Sequence, residues 1–198
     1  MRNIRIKIAY EGTRYQGWQK QDTSDNTIQG KFETLLSRMC GEEITIQGSG
    51  RTDAGVHALG QIANFHTGCT MTTEEMLTYI NQYLPEDIAV VEAEEVPERF
   101  HSRLNAKGKR YVYRVWNSSI PNVFWRRYAH TVPEELDIQA MKEAAVHLLG
   151  EHDFKSFTKA EEDYEDTTRT IVQTKVIRDG EVVEVDAEDD HVLYYFVE

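Results

Sequence analysis

The sequence has little cysteine and no long apolar run, and each absence argues against a class of protein. Only two cysteines occur, Cys40 and Cys69, and they form no CxxC pair. This argues against a disulfide framework and indicates a reduced protein, for which we expect a cytoplasmic location. No run of about 18 apolar residues is present, so we expect no transmembrane helix. The first residues lack the apolar region of a signal peptide and continue directly into a predicted strand.

The sequence also lacks a recognisable set of metal ligands. His57, His66 and His101 are dispersed, and neither a thiol pair nor an H-x-x-x-H pattern accompanies them. Zinc and similar ions are usually held by closely spaced ligands of these kinds. We therefore expect no metal site.

Basic residues are scarce, with 22 Lys and Arg against 34 Asp and Glu and a net charge of −12. This balance argues against nonspecific nucleic-acid binding, because affinity for a phosphate backbone comes largely from Lys and Arg. The charge is unevenly distributed, however. Residues 99–130 contain eight basic residues and no acidic one. They are Arg99, Arg103, Lys107, Lys109, Arg110, Arg114, Arg126 and Arg127.

Aromatic residues interleave with these cations, and we call residues 99–127 the basic strip. They are Tyr111, Tyr113, Trp116, Phe124 and Trp125, with Tyr128 immediately after the strip. The combination favours a surface that faces RNA, where rings stack on bases and cations pair with phosphates. The alternative is a solvated strand pair with half of its aromatic residues in the core. The position of Val112 between two tyrosines partly supports that alternative.

The most informative segment is the polar, glycine-rich run at residues 48–61. It contains four glycines together with Arg51, Asp53 and His57, and lies between predicted strands at 43–46 and 62–65. Glycines allow unusual backbone conformations and close approach of a ligand. A carboxylate beside a guanidinium on such a turn favours a reactive site. The alternative is an ordinary β-turn in which Asp53 caps a backbone N–H.

The remaining pattern predicts an α+β fold with a mixed, mainly antiparallel sheet flanked by helices. Helices are indicated by apolar periodicity behind Thr27 and by a capping box at Thr72. Asp179-Gly180 indicates a hairpin. The predicted strands are 4–10, 88–91, 109–116, 169–177 and 182–185, and the predicted helices are 28–40, a second from Thr72 to Leu84, and 137–149. The acidic run at 161–166 is predicted to be a solvated loop.

Five segments occur in a characteristic order along the chain. The first two read Y-E-G-T-R-Y-Q-G-W-Q-K-Q at 10–21 and G-R-T-D-A-G-V-H-A at 50–58. The others read N-Q-Y-L-P-E-D-I at 81–88, F-H-S-R at 100–103 with K-R-Y-V-Y-R at 109–114, and D-F-K-S-F at 153–157. Together they resemble the motifs of the TruA-type tRNA pseudouridine synthases. The resemblance implies the pseudouridine synthase fold, with two α/β halves and a central cleft. We assign 1–108 to the N-terminal half with the catalytic loop and 109–198 to the C-terminal half.

The resemblance also implies a reaction and its partners. The family isomerises uridine to pseudouridine at positions 38, 39 and 40 of the tRNA anticodon stem-loop, without cofactor or metal. It works as a homodimer, with one tRNA contacting both subunits. Two alternatives stay open: a catalytically weak or inactive tRNA-binding or tRNA-folding protein that retains the synthase core, and a protein-interaction domain with an acidic exterior. The intact glycine-rich run disfavours the second.

The resemblance assigns roles to particular residues. Asp53 is the implied nucleophile, and attack at C1′, attack at C6 and a glycal route remain open. Tyr111 matches the active-site tyrosine that stacks on the uracil, and Tyr113 shares its side of a strand. Arg51 either contacts the flipped nucleotide or forms a salt bridge that orients Asp53. Lys109 and Arg110 are predicted to bind substrate, whereas His57 is predicted to hold the loop by hydrogen bonds.

The resemblance departs at the C-terminal end. The family continues with G-F-L-Y-x-M-V-R, whose arginine pairs with the catalytic aspartate. Here 190–198 reads D-H-V-L-Y-Y-F-V-E, with Glu198 in the place of that arginine. We therefore expect a truncated C-terminal half, a cleft open on one side, and weak or absent activity. The alternation of Val192, Tyr194 and Phe196 predicts a last strand.

Overall fold

The structure, a computed structural model, describes residues 1–21, 24, 26–157, 167–189 and 196–197. The acidic run at 161–166 and the predicted substitution of Glu198 for the family arginine lie outside these residues. The chain forms two compact units, the first consisting mainly of Met1–Ala106 and the second beginning at Lys107. None of the described helices has the length and apolar character needed to cross a membrane.

The first unit is a four-stranded antiparallel sheet with two helices. Its elements are β1 (Arg2–Tyr10), α1 (Ile28–Cys40), β2 (Ile46–Gly48), β3 (Ala58–Thr67), α2 (Thr73–Tyr83) and β4 (Ile88–Val96), with a short 3₁₀ helix at Gly12–Arg14. The strand order is β2-β3-β1-β4, and β1 pairs with β3 on one side and β4 on the other.

The core of the first unit follows from the alternation of β1. Ile4, Ile6 and Ile8 are fully buried and belong to one apolar cluster with residues of both helices, including Phe32 and Met76. Burying each such side chain contributes about 1.5–3 kcal/mol, which makes this cluster the main source of stability in the unit. The site described below lies at the edge of this well-packed sheet.

The second unit contains a smaller core. The elements are β5 (Lys109–Asn117), β6 (His130–Val132), α3 (Ile138–Val146), β7 (Gly150–Asp153), β8 (Thr168–Asp179) and β9 (Val182–Asp189), with a 3₁₀ helix at Lys155–Phe157; a short strand, β10 (Phe196–Val197), ends the described chain. The strands of the unit follow the order β5-β9-β8-β7 with antiparallel pairing, and β6 lies parallel to β5. Helix α3 contributes Ala145 to a cluster with Val115, Val176 and Val183.

The predicted α+β fold class is confirmed, and most predicted elements occur. The clearest error is the strand predicted at 43–46, because the strand runs instead from Ile46 to Gly48. The reason is local: the backbone N–H of Ile44 donates to Ser37 Oγ at 2.9 Å, so a helix side chain replaces a ladder partner there. Helix α3 ends at Val146 rather than at 149, whereas β4 continues to Val96.

Candidate active site

The glycine-rich run forms a loop between β2 and β3, and we call residues 49–57 the Asp53 loop. The side chain of Asp53 is exposed. Its carbonyl accepts a hydrogen bond from the N–H of Val56 at 3.2 Å, which closes a turn. The predicted nucleophile therefore stands on the surface, where a large substrate can reach it.

The first motif holds the backbone of this loop. The N–H of Trp18 donates to the carbonyl of Thr52 at 3.0 Å, and the N–H of Gly55 donates to the carbonyl of Tyr15 at 3.2 Å. The segment that follows β1 therefore lies alongside the loop and fixes it on both sides of Asp53. Two motifs that are far apart in sequence form one structure.

Two glycines of the first motif allow this close approach. A methyl group at Gly17 would lie 2.4 Å from the carbonyl oxygen of Thr52, and one at Gly12 would lie 1.8 Å from that of Val56. Both distances are far below van der Waals contact. Gly17 also has φ of +84°, which side chains other than glycine adopt only with strain. The glycines of the first motif thus serve the loop of the second.

Side chains of β1 and β3 hold the loop from beneath. Tyr10 Oη lies 2.8 Å from Thr52 Oγ1 and 2.5 Å from Gln61 Oε1. Gln61 Nε2 donates to the carbonyl of Gly50 at 3.1 Å. All three side chains are buried. The sequence by itself predicts no role for these residues. The available signal was the position of Tyr10, a polar aromatic residue that ends an otherwise aliphatic alternation.

His57 contacts the first motif from the other end of the loop. It is buried, and its Nδ1 accepts a hydrogen bond from the N–H of Gly12 at 3.1 Å. Glu11 Oε1 lies 3.4 Å from the same nitrogen. Because the Gly12 N–H already uses the lone pair of Nδ1, that contact is not a hydrogen bond. This geometry agrees with the predicted role of His57 in holding the loop.

Arg51 lies on the same loop as Asp53, and its side chain is exposed. Its Nε donates to Gln19 Oε1 at 3.1 Å, so a residue of the first motif orients the guanidinium. The structure thus brings Arg51 and Asp53 together on one anchored loop. The two roles predicted for Arg51, contact with the flipped nucleotide and a salt bridge that orients Asp53, both stay predictions.

The third motif supports the first through Asp87. Tyr15 Oη donates to Asp87 Oδ1 at 2.6 Å, and Arg14 Nε donates to Oδ2 at 2.8 Å. Burial by itself would raise the pKa of the Asp87 carboxyl, but the hydrogen bonds from Tyr15 and Arg14 outweigh it and hold the pKa below its usual value. Asp87 is therefore an ionised anchor for the segment that packs on the Asp53 loop.

The F-H-S-R motif has a structural role in the first unit. Ser102 is fully buried, its N–H donates to Asn64 Oδ1 at 2.8 Å, and its hydroxyl donates to the carbonyl of Gln47 at 2.6 Å. It therefore ties the segment after β4 to strands β2 and β3. In the last motif, Asp153 Oδ1 accepts from the N–H of Lys155 at 3.0 Å, which starts a 3₁₀ turn.

The remaining predicted site residues, Lys109, Arg110 and Tyr111, begin strand β5 in the second unit. Both Arg110 Nε, at 2.7 Å, and Arg110 Nη2 donate to Asp186 Oδ2 on the neighbouring strand β9. Arg114 Nε likewise donates to Glu184 Oε1 at 2.7 Å. The backbone N–H of Lys109 donates to Asp189 Oδ1 at 3.2 Å. Strand β9 therefore neutralises part of the basic strip, which composition alone does not reveal.

The tyrosines of β5 face outward. Tyr111 is 43% exposed and Tyr113 is 58% exposed, while Val112 between them is buried. Burial of part of the Tyr111 ring, with a smaller contribution from Asp189, raises the pKa of its phenol to about 12. At physiological pH the side chain of Tyr111 is thus neutral, and its ring is partly exposed to solvent.

The other aromatic residues in the strip and the adjacent Tyr128 also lie outside the core. Phe124, Trp125 and Tyr128 are exposed, and Trp116 is only half-buried. The alternative interpretation, in which half of these rings fill the core, is therefore wrong. The strip presents aromatic surface together with its cations.

The two-sheet α+β fold, the five ordered motifs and the anchored loop that carries Asp53 together define a pseudouridine synthase. A family model described as tRNA pseudouridine synthase matches residues 6–105 and 144–194. Relatives named tRNA pseudouridine synthase A 2 from Bacillus cereus (strain ZK / E33L) and tRNA pseudouridine synthase A from Bacillus sp. (strain KSM-64) are 42% and 45% identical over 197 residues. A tRNA pseudouridine synthase A 1 from Clostridium tetani is 46% identical.

These matches cover 100% of this chain and 80–81% of each relative. The chain belongs to the tRNA pseudouridine synthase family. It is accordingly an isomerase that acts on tRNA.

Proposed function

We propose that the protein converts uridine to pseudouridine at positions 38, 39 and 40 of the tRNA anticodon arm, with Asp53 as the nucleophile. The observation that carries the proposal is the exposed carboxylate of Asp53 on a loop whose backbone is fixed from two directions. A catalytic group must be held close to its productive geometry, and a rigidly anchored turn provides this.

The reaction rearranges one nucleoside without net gain or loss of atoms. The N1–C1′ bond breaks, the uracil turns, and C5 bonds to C1′; the proton on C5 leaves and N1 acquires one. Asp53 acts as the nucleophile that stabilises the separated ribose and base, whether by attack at C1′ or C6 or by assisting a glycal route. Because Asp53 is exposed, the bound RNA itself has to exclude water from the reacting atoms.

A uridine within a stem must first leave the stack, which costs a few kcal/mol. Arg51, next but one to Asp53, contacts the flipped nucleotide. The neutral ring of Tyr111 stacks on the uracil, and its phenol carries no charge that would repel phosphate. Lys109 and Arg110 contact the RNA backbone, although a phosphate has to compete with Asp186 for Arg110.

Release of tritium from tRNA labelled at uracil C5 tests the assignment of Asp53. Asp53→Asn is expected to abolish release while tRNA binding, measured by gel shift, stays within a few fold. Circular dichroism should be unchanged because the side chain is exposed. A variant that keeps more than about a tenth of the wild-type turnover, a barrier change under about 1.4 kcal/mol, contradicts the assignment. A wild-type protein that shifts tRNA without releasing tritium is the noncatalytic alternative.

Two further parts of the proposal concern the substrate and the assembly. Transcripts with cytidine at positions 38, 39 and 40 should lose all release, and persistent release would place the target elsewhere. We also propose a homodimer, which rests on the family resemblance alone. Light scattering at micromolar protein tests it, and a monomer mass would contradict it.

A further inference from the structure

We propose that Tyr10 and Gln61 are positioning residues for the Asp53 loop, acting through Thr52 and Gly50. The inference rests on the proposed role of Asp53. Neither side chain is expected to touch the substrate, since both are buried beneath the loop. Their hydrogen bonds reach Gly50 and Thr52, the two residues on either side of Arg51. Thr52 immediately precedes Asp53.

The direction of every hydrogen bond in this clamp is fixed. Gln61 Nε2 donates to the carbonyl of Gly50 at 3.1 Å, so its Oε1 points toward Tyr10. Tyr10 Oη uses its one proton to donate to that Oε1 at 2.5 Å. The hydroxyl of Thr52, 2.8 Å away, must then donate to Tyr10 Oη. The chain of donors has a single arrangement, which favours one loop conformation.

Burial makes the clamp sensitive to the loss of one atom. Tyr10, Thr52 and Gln61 are 4%, 9% and 0% exposed. Without the Tyr10 hydroxyl, Gln61 Oε1 and the Thr52 hydroxyl lose their partner in a place that water does not readily reach. Burial also raises the pKa of Tyr10 well above its usual value, so the hydroxyl remains a donor at any pH suitable for assay. The clamp therefore does not titrate.

The other anchors cannot replace it. The hydrogen bonds from the first motif hold the carbonyl of Thr52, the N–H of Gly55 and the ring of His57. The clamp instead holds the carbonyl of Gly50 and the side chain of Thr52. Its loss should let the backbone at residues 50–53 shift, and misplacement by about 1 Å can cost about a hundredfold in rate.

The test compares substitutions that each remove one buried hydroxyl. Tyr10→Phe and Thr52→Val break the clamp, whereas Thr52→Ser keeps its donor. Thr67→Val is the matched control, because Thr67 is also buried and donates to Glu42 Oε1 at 2.6 Å, but at the opposite end of β3. Turnover is measured by tritium release, together with hydrogen exchange of the amides at 50–57.

For Tyr10→Phe and Thr52→Val we expect kcat to fall at least about tenfold, with KM within about threefold of wild type. For Thr52→Ser and Thr67→Val we expect kcat to stay within about twofold of wild type. Combining Tyr10→Phe with Thr52→Val should lower kcat little further, since both break one unit. Amides at 50–57 should exchange faster in the two clamp variants only.

Unchanged kcat and unchanged exchange in Tyr10→Phe would overturn the inference. If the wild type is active and Asp53→Asn is not, that result leaves the proposed function standing. If the wild type itself releases no tritium, the proposed function fails, and hydrogen exchange still decides whether the clamp orders the loop.

Discussion

Replacing Gly17 with alanine is expected to displace the Asp53 loop, and Gly41→Ala provides a matched control. Both glycines have left-handed backbone, with φ of +84° at Gly17 and +68° at Gly41. This conformation costs a residue with a Cβ about 1–2 kcal/mol, partly offset by about 0.4–1 kcal/mol from the stiffer unfolded chain. For Gly41, where a Cβ would meet nothing within 4 Å, this is the whole effect.

Gly17 carries a second cost. Its Cβ would lie 2.4 Å from the carbonyl oxygen of Thr52, and neither group is the end of a flexible side chain. Relieving such overpacking costs about 1–3 kcal/mol. The neighbouring hydrogen bond from Trp18 to Thr52, at 3.0 Å, has to lengthen as the two segments separate. The predicted loss of stability is therefore about 1–5 kcal/mol for Gly17→Ala against about 0–1.6 kcal/mol for Gly41→Ala.

Thermal unfolding and tritium release together check this reasoning. One kcal/mol corresponds to about 2–4 °C in Tm for a chain of this size, so Tm should fall by about 2–20 °C for Gly17→Ala and by at most about 6 °C for Gly41→Ala. Turnover at a temperature where both variants are folded should drop at least tenfold in Gly17→Ala alone. Equal losses of Tm and equal turnover would show that the contact with Thr52 is unimportant.

Two other predictions follow from the pKa shifts. The depressed pKa of Asp87 contributes stability that is present above its unfolded pKa of about 4 and is lost as pH falls through the folded pKa. Asp87→Asn should therefore be less stable than wild type in urea at pH 7, and this difference should shrink as the pH falls below about 4; a difference that does not shrink would contradict this. Because the phenol of Tyr111 stays neutral until about pH 12, Tyr111→Phe should keep the wild-type pH–rate profile between pH 7 and 10, while Tyr111→Ala loses the ring and at least tenfold in turnover; a profile that changes in Tyr111→Phe would assign the hydroxyl a role in proton transfer.

Features fixed by neighbouring residues could be predicted from the sequence. The bounds of α1 were correct because Thr27 caps it, with Oγ1 accepting from the N–H of Gly30 at 3.2 Å. The capping box of α2 and the hairpin at Asp179-Gly180 were correct for the same reason. Each signal acts within a few residues, so it does not depend on how the strands are arranged.

Contacts between distant residues could not be predicted in this way. Tyr10 meets Gln61 across 51 positions, and Arg110 meets Asp186 across 76. Both pairs depend on strand register, since β1 pairs with β3 and β5 pairs with β9. The motifs drew attention to the Asp53 loop. The contacts that hold the loop and the carboxylates that neutralise part of the basic strip could be identified only from the structure.

The pairing of Arg110 with Asp186 predicts that one substitution can tighten RNA binding while it lowers the stability of the protein. The salt dependence of RNA binding counts the cations that release counterions, with about 0.9 in slope for each phosphate contact on a duplex. An arginine that keeps a carboxylate partner contributes little to that slope. Asp186→Asn should therefore tighten tRNA binding and steepen its salt dependence, even though it removes a partly buried ion pair and lowers stability. Asp179→Asn is the control, because it changes the net charge equally at an exposed residue of β8 that pairs with Val182 rather than with β5. The affinity of both variants for tRNA is measured at salt concentrations from about 50 to about 200 mM. Equal affinities and equal salt slopes would show that tRNA binding responds to net charge alone and that Arg110 does not contact the tRNA.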